Sequence, residues 1–203
     1  MHKSAIKRME WFVQNYIPKD KEVNILDIGS YSVNGNYRSL FNGYKAHYSG
    51  LDITPGPNVD IVVADPYNWA ELKDESFDFI ISGNAFEHIE YPWLSMCQIE
   101  RKLKKGGVTC ILTPFTLDEH RYPTDCYRYY PDGLVALAKW AGLIVVNSTV
   151  GGVPDGVDTN QWIPSENYDD SVLIAIKQGT QSDVTNLPKL TKQVRSKTIH
   201  GGK

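Results

Sequence analysis

The chain has 203 residues, of which 41% are hydrophobic and 22% are charged, and its formal net charge is -3. This length supports one sizeable core and is short for two, so residues 1–178 are predicted to form a single domain. Domains that mainly bind nucleic-acid phosphates are usually basic, so no nucleic-acid partner is expected. The three cysteines form no Cys-x-x-Cys pair, which argues against a disulfide framework or a cysteine zinc site.

Two features of the chain argue against a membrane protein. The N-terminus has no continuous apolar segment, and no apolar run approaches the roughly 20 residues that cross a bilayer. Together with cysteines expected to be reduced thiols, this predicts a soluble, cytoplasmic protein. Residues 179–203 are polar and lysine-rich, and we expect them to form a mobile tail.

The order of apolar runs indicates the fold class. Ile6, Met9, Phe12 and Val13 recur at helical spacing near the start of the chain,. Five short runs follow, at intervals that leave room for helices: VNILDIG (23–29), HYSGLDI (47–53), VDIVVAD (59–65), FDFIISG (77–83) and GVTCILTPF (107–115). This alternation predicts an α/β domain with a mostly parallel sheet.

The alternation of strand and helix patterns stops near the end of the chain. LIVVNSTV (143–150) and SVLIAIKQ (171–178) are both typical of strands, and a loop rich in Gly, Pro, Asp and Asn joins them without a helical pattern. We therefore predict that an antiparallel pair ends the sheet.

Acidic residues stand at the ends of successive predicted strands. In parallel sheets, ligands bind beyond the carboxyl ends of the strands, where Gly29 lies. Asp52 follows roughly 20 residues later, the spacing at which an acid accepts hydrogen bonds from ribose hydroxyls. Asp65 follows the third strand, where a carboxylate can accept a hydrogen bond from an adenine amine. Because aspartate is depleted within strands, these acids favour a cofactor that contains adenosine; a plain surface turn at Gly29 is the alternative.

Five segments resemble the successive motifs of class I S-adenosylmethionine-dependent methyltransferases, in that family's order. They are NILDIGSYSVNGNYR (24–38), YSGLDI (48–53), VVADPYNW (62–69), FDFIISGNAFEHI (77–89) and LKKGGVTCILTPF (103–115). The resemblance implies a Rossmann-like α/β fold with a seven-stranded, mostly parallel sheet, helices on both faces and an antiparallel C-terminal strand. It also implies S-adenosyl-L-methionine as cofactor and S-adenosyl-L-homocysteine as product.

The resemblance also implies a set of cofactor-binding residues. In the family's motifs, Asp52 binds the ribose, Asp65 the adenine, and Ser82 with Gly83 the amino end of the cofactor. Tyr31 stands where a second glycine is usual, so the loop must be wider or the side chain must turn outward. The full expected set is Asp27, Gly29, Ser30, Tyr31, Asn34, Asp52, Ile53, Asp65, Pro66, Ser82 and Gly83.

Methyl transfer to a neutral hydroxyl needs an aligned acceptor and a group that removes the proton. A histidine with a pKa near 6.5 is a suitable base. His120 is the first candidate and His88, expected at the start of a helix, the second, with Asp125 orienting an imidazole or the acceptor. A structural role for His88 is the alternative. No required metal is expected, because some metal-dependent relatives carry an acid where Asn84 stands, and no dense carboxylate cluster lies nearby.

The segment HRYPTDCYRYYPDGL (120–134) bears on the acceptor. It is similar to methyltransferases found with surface-polysaccharide biosynthesis, including viral ones that methylate deoxyhexoses. This narrower resemblance implies transfer to a sugar hydroxyl of a glycan or its precursor, with a deoxyhexose such as rhamnose as acceptor. Arg121, Tyr127 and Arg128 are then the expected acceptor-binding residues. A purely structural polar connection is the alternative.

Other functions remain open at this stage. A small-molecule or nucleic-acid methyltransferase of the same fold is one, although the Asn/Asp-Pro-Pro-aromatic motif of amino-directed enzymes is replaced here by SGNAFEH (82–88). A nicotinamide-dependent dehydrogenase would need a more complete glycine triplet. A cofactor-binding subunit that assists a partner enzyme is a third possibility, and oligomerisation is left open.

Overall fold

The computed structural model describes residues 3–150 and 169–179. The helices are α1 (Lys3–Tyr16), α2 (Pro92–Lys102) and α3 (Pro131–Trp140), with 3-10 helices at Arg38–Phe41 and Phe86–His88. The strands are β1 (Val23–Ile28), β2 (Ala46–Asp52), β3 (Ile61–Val62), β4 (Phe77–Gly83), β5 (Leu103–Thr116), β6 (Ile144–Val150) and β7 (Asp169–Ile176). Apart from residue 179, the predicted tail lies outside the described residues, as does the loop predicted between the last two strands.

Over these described ranges, no helix combines the length and the apolar character that crossing a bilayer requires.

The seven strands form one sheet in the order β3-β2-β1-β4-β5-β7-β6. β7 pairs antiparallel with both β5 and β6, and the other pairs are parallel. The predicted Rossmann-like sheet with an antiparallel C-terminal strand is thus confirmed. At the carboxyl edge, Ile28 of β1 is in register with Leu51 of β2 and with Ser82 of β4. The loops that follow these three strands therefore start side by side.

Side-chain alternation along the strands divides the core between the two faces of the sheet. Leu26 and Ile80 belong to the buried cluster that α2 and α3 cover. Ile25 and Ile81 belong to the cluster that α1 and the Arg38–Phe41 turn cover. Helices thus pack on both faces of the sheet.

Three connections lack the α-helices for which the sequence left room. Only the 3-10 turn at Arg38–Phe41 lies between β1 and β2, and the connections on either side of β3 have no helix. The first of these, residues 53–60, contains Pro55 and Pro57, which lack the N–H that a helix interior needs, and Asn58 has a φ of 70°,. The site at this edge is therefore built from loops.

Candidate active site

A cleft of about 1210 Å³ opens at the carboxyl ends of β1, β2 and β4. Its walls come from the loops after these strands and from residues 117–124, which follow β5. Pockets for single small ligands usually measure about 300–1000 Å³. The cleft therefore has room for a nucleoside cofactor together with an acceptor.

Gly29 forms the turn at the end of β1. Its φ is +71°, a left-handed conformation that glycine adopts without strain,. The N–H groups of Gly29 and Ser30 both donate to the carbonyl of Leu51, at 2.9 and 3.1 Å. A Cβ on Gly29 would overlap with Cβ of Ala85 in the loop after β4. This position therefore excludes any side chain, and the backbone forms the wall of the cleft.

Asp52 ends β2 with its carboxylate at the cleft. Oδ2 accepts a hydrogen bond from the Tyr31 N–H and Oδ1 accepts one from the Thr54 N–H, both at 3.1 Å. A carboxylate has about four acceptor positions, so Asp52 keeps capacity for the hydroxyls of a ribose. The Tyr31 ring packs over Gly56, where a Cβ would overlap with it.

Asp27 is a buried acid beneath the same turn. Its carboxylate accepts a hydrogen bond from the hydroxyl of Tyr48, whose ring lies under the guanidinium of Arg38 at 4.4 Å. Burial raises the pKa of Asp27 to about 7, although the hydrogen bond from Tyr48 and the charge of Arg38 act in the opposite direction,. Asp27 therefore holds a proton over much of the range below neutral pH.

The raised pKa of Asp27 predicts a pH-dependent stability. The folded pKa lies above that of an unfolded aspartate, so Asp27 favours folding below about pH 4, and this contribution is lost as pH rises towards and through about 7,. From pH 5 to 8 the free energy of unfolding should fall by about 1–4 kcal/mol more in the wild type than in Asp27→Asn. Urea unfolding at the two pH values measures this; parallel curves for the two proteins would contradict it.

The other expected cofactor residues divide into two groups. Pro66 and Gly83 line the cleft, as do Asn34 and Ile53. Ser82 lies beneath it and donates its hydroxyl to the carbonyl of Ile28 at 3.0 Å. A further expected residue, Asp65, is outside the lining and accepts a hydrogen bond from the Tyr67 N–H at 2.8 Å.

Tyr37 is a cleft residue that the sequence analysis did not single out. It is buried, and its hydroxyl fills the space that a Cβ on Gly83 would need. Within the described residues this hydroxyl has no hydrogen-bond partner. Tyr37 therefore shapes the end of the cleft at Gly83, where the resemblance puts the amino end of the cofactor.

Glu87, His88 and His120 meet at one point of the cleft, and we call them the Glu87 cluster. His88 Nε2 lies 3.7 Å and His120 Nε2 lies 3.8 Å from the same atom, Oε1 of Glu87. The Glu87 side chain is fully buried, and its other oxygen accepts a hydrogen bond from the Thr113 hydroxyl at 3.2 Å. The two expected bases are thus brought together by an acid that the sequence analysis did not count as a site residue. In the sequence, only the position of Glu87 next to His88 indicated that it could belong to the site.

Backbone carbonyls hold both imidazoles of the cluster. His88 Nδ1 lies 2.6 Å from the carbonyl of Thr124, and His120 Nδ1 lies 3.1 Å from that of Asp118. Each ring therefore donates its Nδ1–H to a carbonyl and directs Nε2 to Glu87. The neighbouring Glu87 carboxylate raises the pKa of His120. His88 ends the 3-10 helix and precedes α2, so the expectation that it starts a helix is corrected.

Asp125 organises the loop after β5 through its buried carboxylate. It accepts hydrogen bonds from the His120 N–H at 2.7 Å and from both terminal nitrogens of Arg128 at 2.5 and 2.7 Å. The Arg128 guanidinium holds the pKa of Asp125 well below its usual range. Because His120 Nδ1 is 3.7 Å from this carboxylate, Asp125 positions His120 mainly through the backbone.

The three expected acceptor-binding residues lie in different places. Arg128 also donates to the carbonyls of Leu117 and Asp118, and the Tyr127 hydroxyl donates to the carbonyl of Glu90, so both hold the loop and neither lines the cleft. Arg121 does line the cleft and is largely exposed, with Glu119 as its ion-pair partner at 2.6 Å.

Comparison with known proteins agrees with this architecture. Residues 26–111 match the family model described as a methyltransferase domain. An S-adenosylmethionine-dependent methyltransferase from Archaeoglobus fulgidus superimposes with a TM-score of 0.60 at 17% identity, over 84% of this chain and 94% of that one. No curated protein matches the chain.

Two further solved structures show how widely the fold is used. The cyclase SpnF superimposes with a TM-score of 0.62 at 14% identity, over 85% of this chain and 81% of that one. Phosphoethanolamine N-methyltransferase 2 of Haemonchus contortus, in complex with S-adenosyl-L-methionine, gives 0.58 at 17% identity, over 84% of this chain and 52% of that one. These likenesses establish the fold and select no acceptor.

The cleft fits the cofactor that this family uses. Gly29 and Gly83 leave no room for a Cβ and expose backbone, Asp52 presents a carboxylate with free acceptor capacity, and all three border one cavity. When bound, S-adenosyl-L-methionine supplies an electrophilic methyl group on a sulfonium. Residues 26–111 thus match a methyltransferase domain, and the seven-stranded sheet has the fold of S-adenosylmethionine-dependent methyltransferases.

Proposed function

We propose that the chain methylates a sugar hydroxyl of a glycan or its activated precursor, with a deoxyhexose such as rhamnose as acceptor. The observation that carries this proposal is the position of the Glu87 cluster, which opens into the same cleft as Gly29 and Asp52. An acceptor in this cleft lies between the cofactor loop and a group that takes up a proton. A neutral hydroxyl needs such a group, because its oxygen is a weak nucleophile until the proton leaves.

The cluster supports proton removal from the acceptor oxygen. As that oxygen bonds to the methyl carbon, the carbon–sulfur bond breaks with its electron pair left on sulfur, and the hydroxyl proton passes to a base. His120 stays the first candidate, because 28% of its side chain is exposed at the cleft, compared with 13% for His88. Asp125 and Asp118 hold the His120 segment in place. A positioned base of this kind typically contributes about 10²- to 10⁴-fold to the rate.

The rim of the cleft suits a sugar. Tyr122 lines it with 59% of its surface exposed, and its ring lies 5.9 Å from that of His88. An exposed aromatic face can pack against the C–H groups of a pyranose, while Arg121 and Glu119 beside it offer donors and acceptors to hydroxyls,. A mixed aromatic and polar rim next to a basic imidazole therefore favours a sugar acceptor.

Transfer of a labelled methyl group tests this proposal directly. The chain is incubated with methyl-labelled S-adenosyl-L-methionine and three acceptor sets: nucleotide-activated deoxyhexoses and oligosaccharides, small amines including phosphoethanolamine, and RNA. The proposal predicts a labelled O-methyl sugar, identified by mass spectrometry. Label confined to amines or RNA would overturn it. Transfer to no acceptor until a second protein is added would favour an assisting subunit.

Asp52→Ala tests the ribose assignment. The variant loses a charged acceptor of hydrogen bonds, each worth about 1.5–3 kcal/mol, so affinity for S-adenosyl-L-methionine should fall about 10- to 100-fold. Thermal unfolding should show an intact fold. Asp20→Ala removes an exposed carboxylate near the start of β1 and serves as the matched control. Calorimetric titration measures both; an unchanged affinity in Asp52→Ala would remove Asp52 from the cofactor site.

A further inference from the structure

We propose that Glu87, His88 and His120 bind one divalent first-row transition-metal ion in the cleft. The binding rests on the geometry of these three side chains, and its use in catalysis rests on the proposed function. Two imidazole nitrogens and one carboxylate oxygen form the donor set of many open catalytic metal sites.

The three donor atoms already converge. Nε2 of His88 and Nε2 of His120 approach Glu87 Oε1 to 3.7 and 3.8 Å, and all three ligand atoms lie within 4.8 Å of one another. Ligands at about 2.0–2.2 Å from a metal, on adjacent corners of its coordination shell, lie roughly 3.0–3.5 Å apart. The two nitrogen–oxygen distances exceed this spacing by a few tenths of an ångström, and the two nitrogens, within 4.8 Å of each other, exceed it by at most about 1.8 Å,. Rotations of the two imidazole side chains close these gaps.

Glu87 Oε1 needs a partner that the described protein atoms do not supply. The atom is buried and, within residues 3–150 and 169–179, accepts no hydrogen bond. A buried carboxylate oxygen without a hydrogen-bond donor is costly unless another group contacts it. Oε2 is held by the Thr113 hydroxyl, so the carboxylate orientation is fixed and Oε1 faces the two imidazoles. A cation between them satisfies all three donors at once.

The outer contacts of the histidines are those of metal ligands. Imidazoles that bind metals usually donate the other ring N–H to a carbonyl or carboxylate, which fixes the tautomer. His88 does so to Thr124 and His120 to Asp118. The Arg128 guanidinium is 3.5 Å from His120 Nδ1, but its shorter contacts go to Asp118 and Asp125. Both Nε2 lone pairs are therefore available on the cleft side.

The types of the donor atoms indicate which metal ion binds, and their exposure to the cleft indicates how that ion acts on an acceptor. Two nitrogens with one oxygen suit Mn²⁺, Fe²⁺, Co²⁺ or Zn²⁺ better than Mg²⁺ or Ca²⁺, which prefer oxygen donors. Three protein ligands leave coordination positions open to the cleft. An acceptor hydroxyl at such a position loses its proton more readily, as metal-bound water does. The two histidines then serve as ligands, and the proton leaves to solvent.

A metal ion at the Glu87 cluster runs counter to the expectation drawn from the sequence. The absence of an acid at Asn84 argued there against a required metal. In the structure the Asn84 amide donates to Asp170 at 3.0 Å, and the third donor comes from His120, in the loop after β5. The site becomes visible only when the fold brings these segments together.

Metal titration of the full chain tests the inference without an acceptor. Tag-free protein, treated with a chelator, is titrated with Co²⁺ and followed by visible absorption, and Mn²⁺, Zn²⁺ and Mg²⁺ are compared by calorimetry. We expect one saturable equivalent of Co²⁺ with new visible bands, and weaker binding of Mg²⁺. Glu87→Gln, His88→Ala and His120→Ala should each weaken Co²⁺ binding at least tenfold. Thr113→Val, which frees the carboxylate, should weaken it less.

Control variants and the sugar-methylation assay distinguish the possible outcomes. His47→Ala and Glu22→Gln remove an exposed imidazole and an exposed carboxylate outside the cleft and should bind Co²⁺ like the wild type. If Glu87→Gln does not fold, Co²⁺ titration of His120→Ala still tests the site, because His120 is partly exposed. Absence of saturable binding, or binding unaffected by the cluster variants, overturns the inference while sugar methylation can still hold. Metal binding by the cluster without methylation of any sugar overturns the proposed function alone.

Discussion

Gly29→Ala is expected to weaken S-adenosyl-L-methionine binding at least tenfold and to lower the free energy of unfolding by about 2–4 kcal/mol. Two causes add. The backbone at this position has a φ of +71°, which costs a residue with a Cβ about 1–2 kcal/mol,. The new methyl group also overlaps with Ala85, so the loops after β1 and β4 must separate. The two loops that form the walls of the cofactor cleft then no longer keep their relative positions.

Gly43→Ala separates these two causes. Gly43 has a similar φ of +84°, but among the described residues no atom outside Gly43 and its two chain neighbours lies within 4 Å of the position that a Cβ would occupy there. It should lose about 1–2 kcal/mol of stability and bind the cofactor like the wild type. Urea unfolding and calorimetric titration of both variants measure the difference. If Gly29→Ala behaved like Gly43→Ala in both measurements, the close approach of the two loops would not shape the cofactor site.

His120→Ala is expected to lower turnover at least 100-fold and to change the dissociation constant of S-adenosyl-L-methionine less than threefold. The imidazole lines the same cleft as Asp52 and Gly29 and lies beside Glu87 and His88. In the proposed function it acts on the acceptor. This expectation holds whether His120 removes the proton itself or holds a cation that makes the hydroxyl more acidic. Both roles need an imidazole Nε2 at this position.

The measurement pairs turnover with the acceptor found in the labelling experiment and calorimetry with the cofactor. His47→Ala is the matched control, because His47 is an exposed histidine on β2 outside the cleft lining. Wild-type turnover in His120→Ala would exclude both roles for His120. An equal loss of turnover and cofactor affinity would indicate that the variant disturbs the cofactor loop instead.

The sheet and its carboxyl edge were predictable because they depend on local signals. Apolar, β-branched runs bounded by Gly29 and Asp52 define β1 and β2, and parallel strands must bring those ends to one edge. The missing helices were less predictable. Pro55 and Pro57 fill the connection before β3 with residues that suit a turn,, and the spacing between strands alone does not show this.

The acceptor side of the site was only partly predictable, because its roles depend on contacts between distant segments. Glu87 belongs to the site through its contacts with Thr113, which lies in β5, and with His120, which lies in the loop after β5. Arg128 has the composition of a ligand-binding residue, yet its donors are used by Asp125 and by carbonyls of its own loop. Residue type cannot distinguish a donor that faces a ligand from one that holds the backbone.

The most direct test of the account is a calorimetric titration of the full chain with S-adenosyl-L-methionine and S-adenosyl-L-homocysteine, with NAD as the control. The cleft built around Gly29 and Asp52 predicts micromolar binding of both sulfur compounds at one equivalent and no binding of NAD. Binding of NAD alone, or of none of the three, would contradict the assignment of this cleft as the cofactor site.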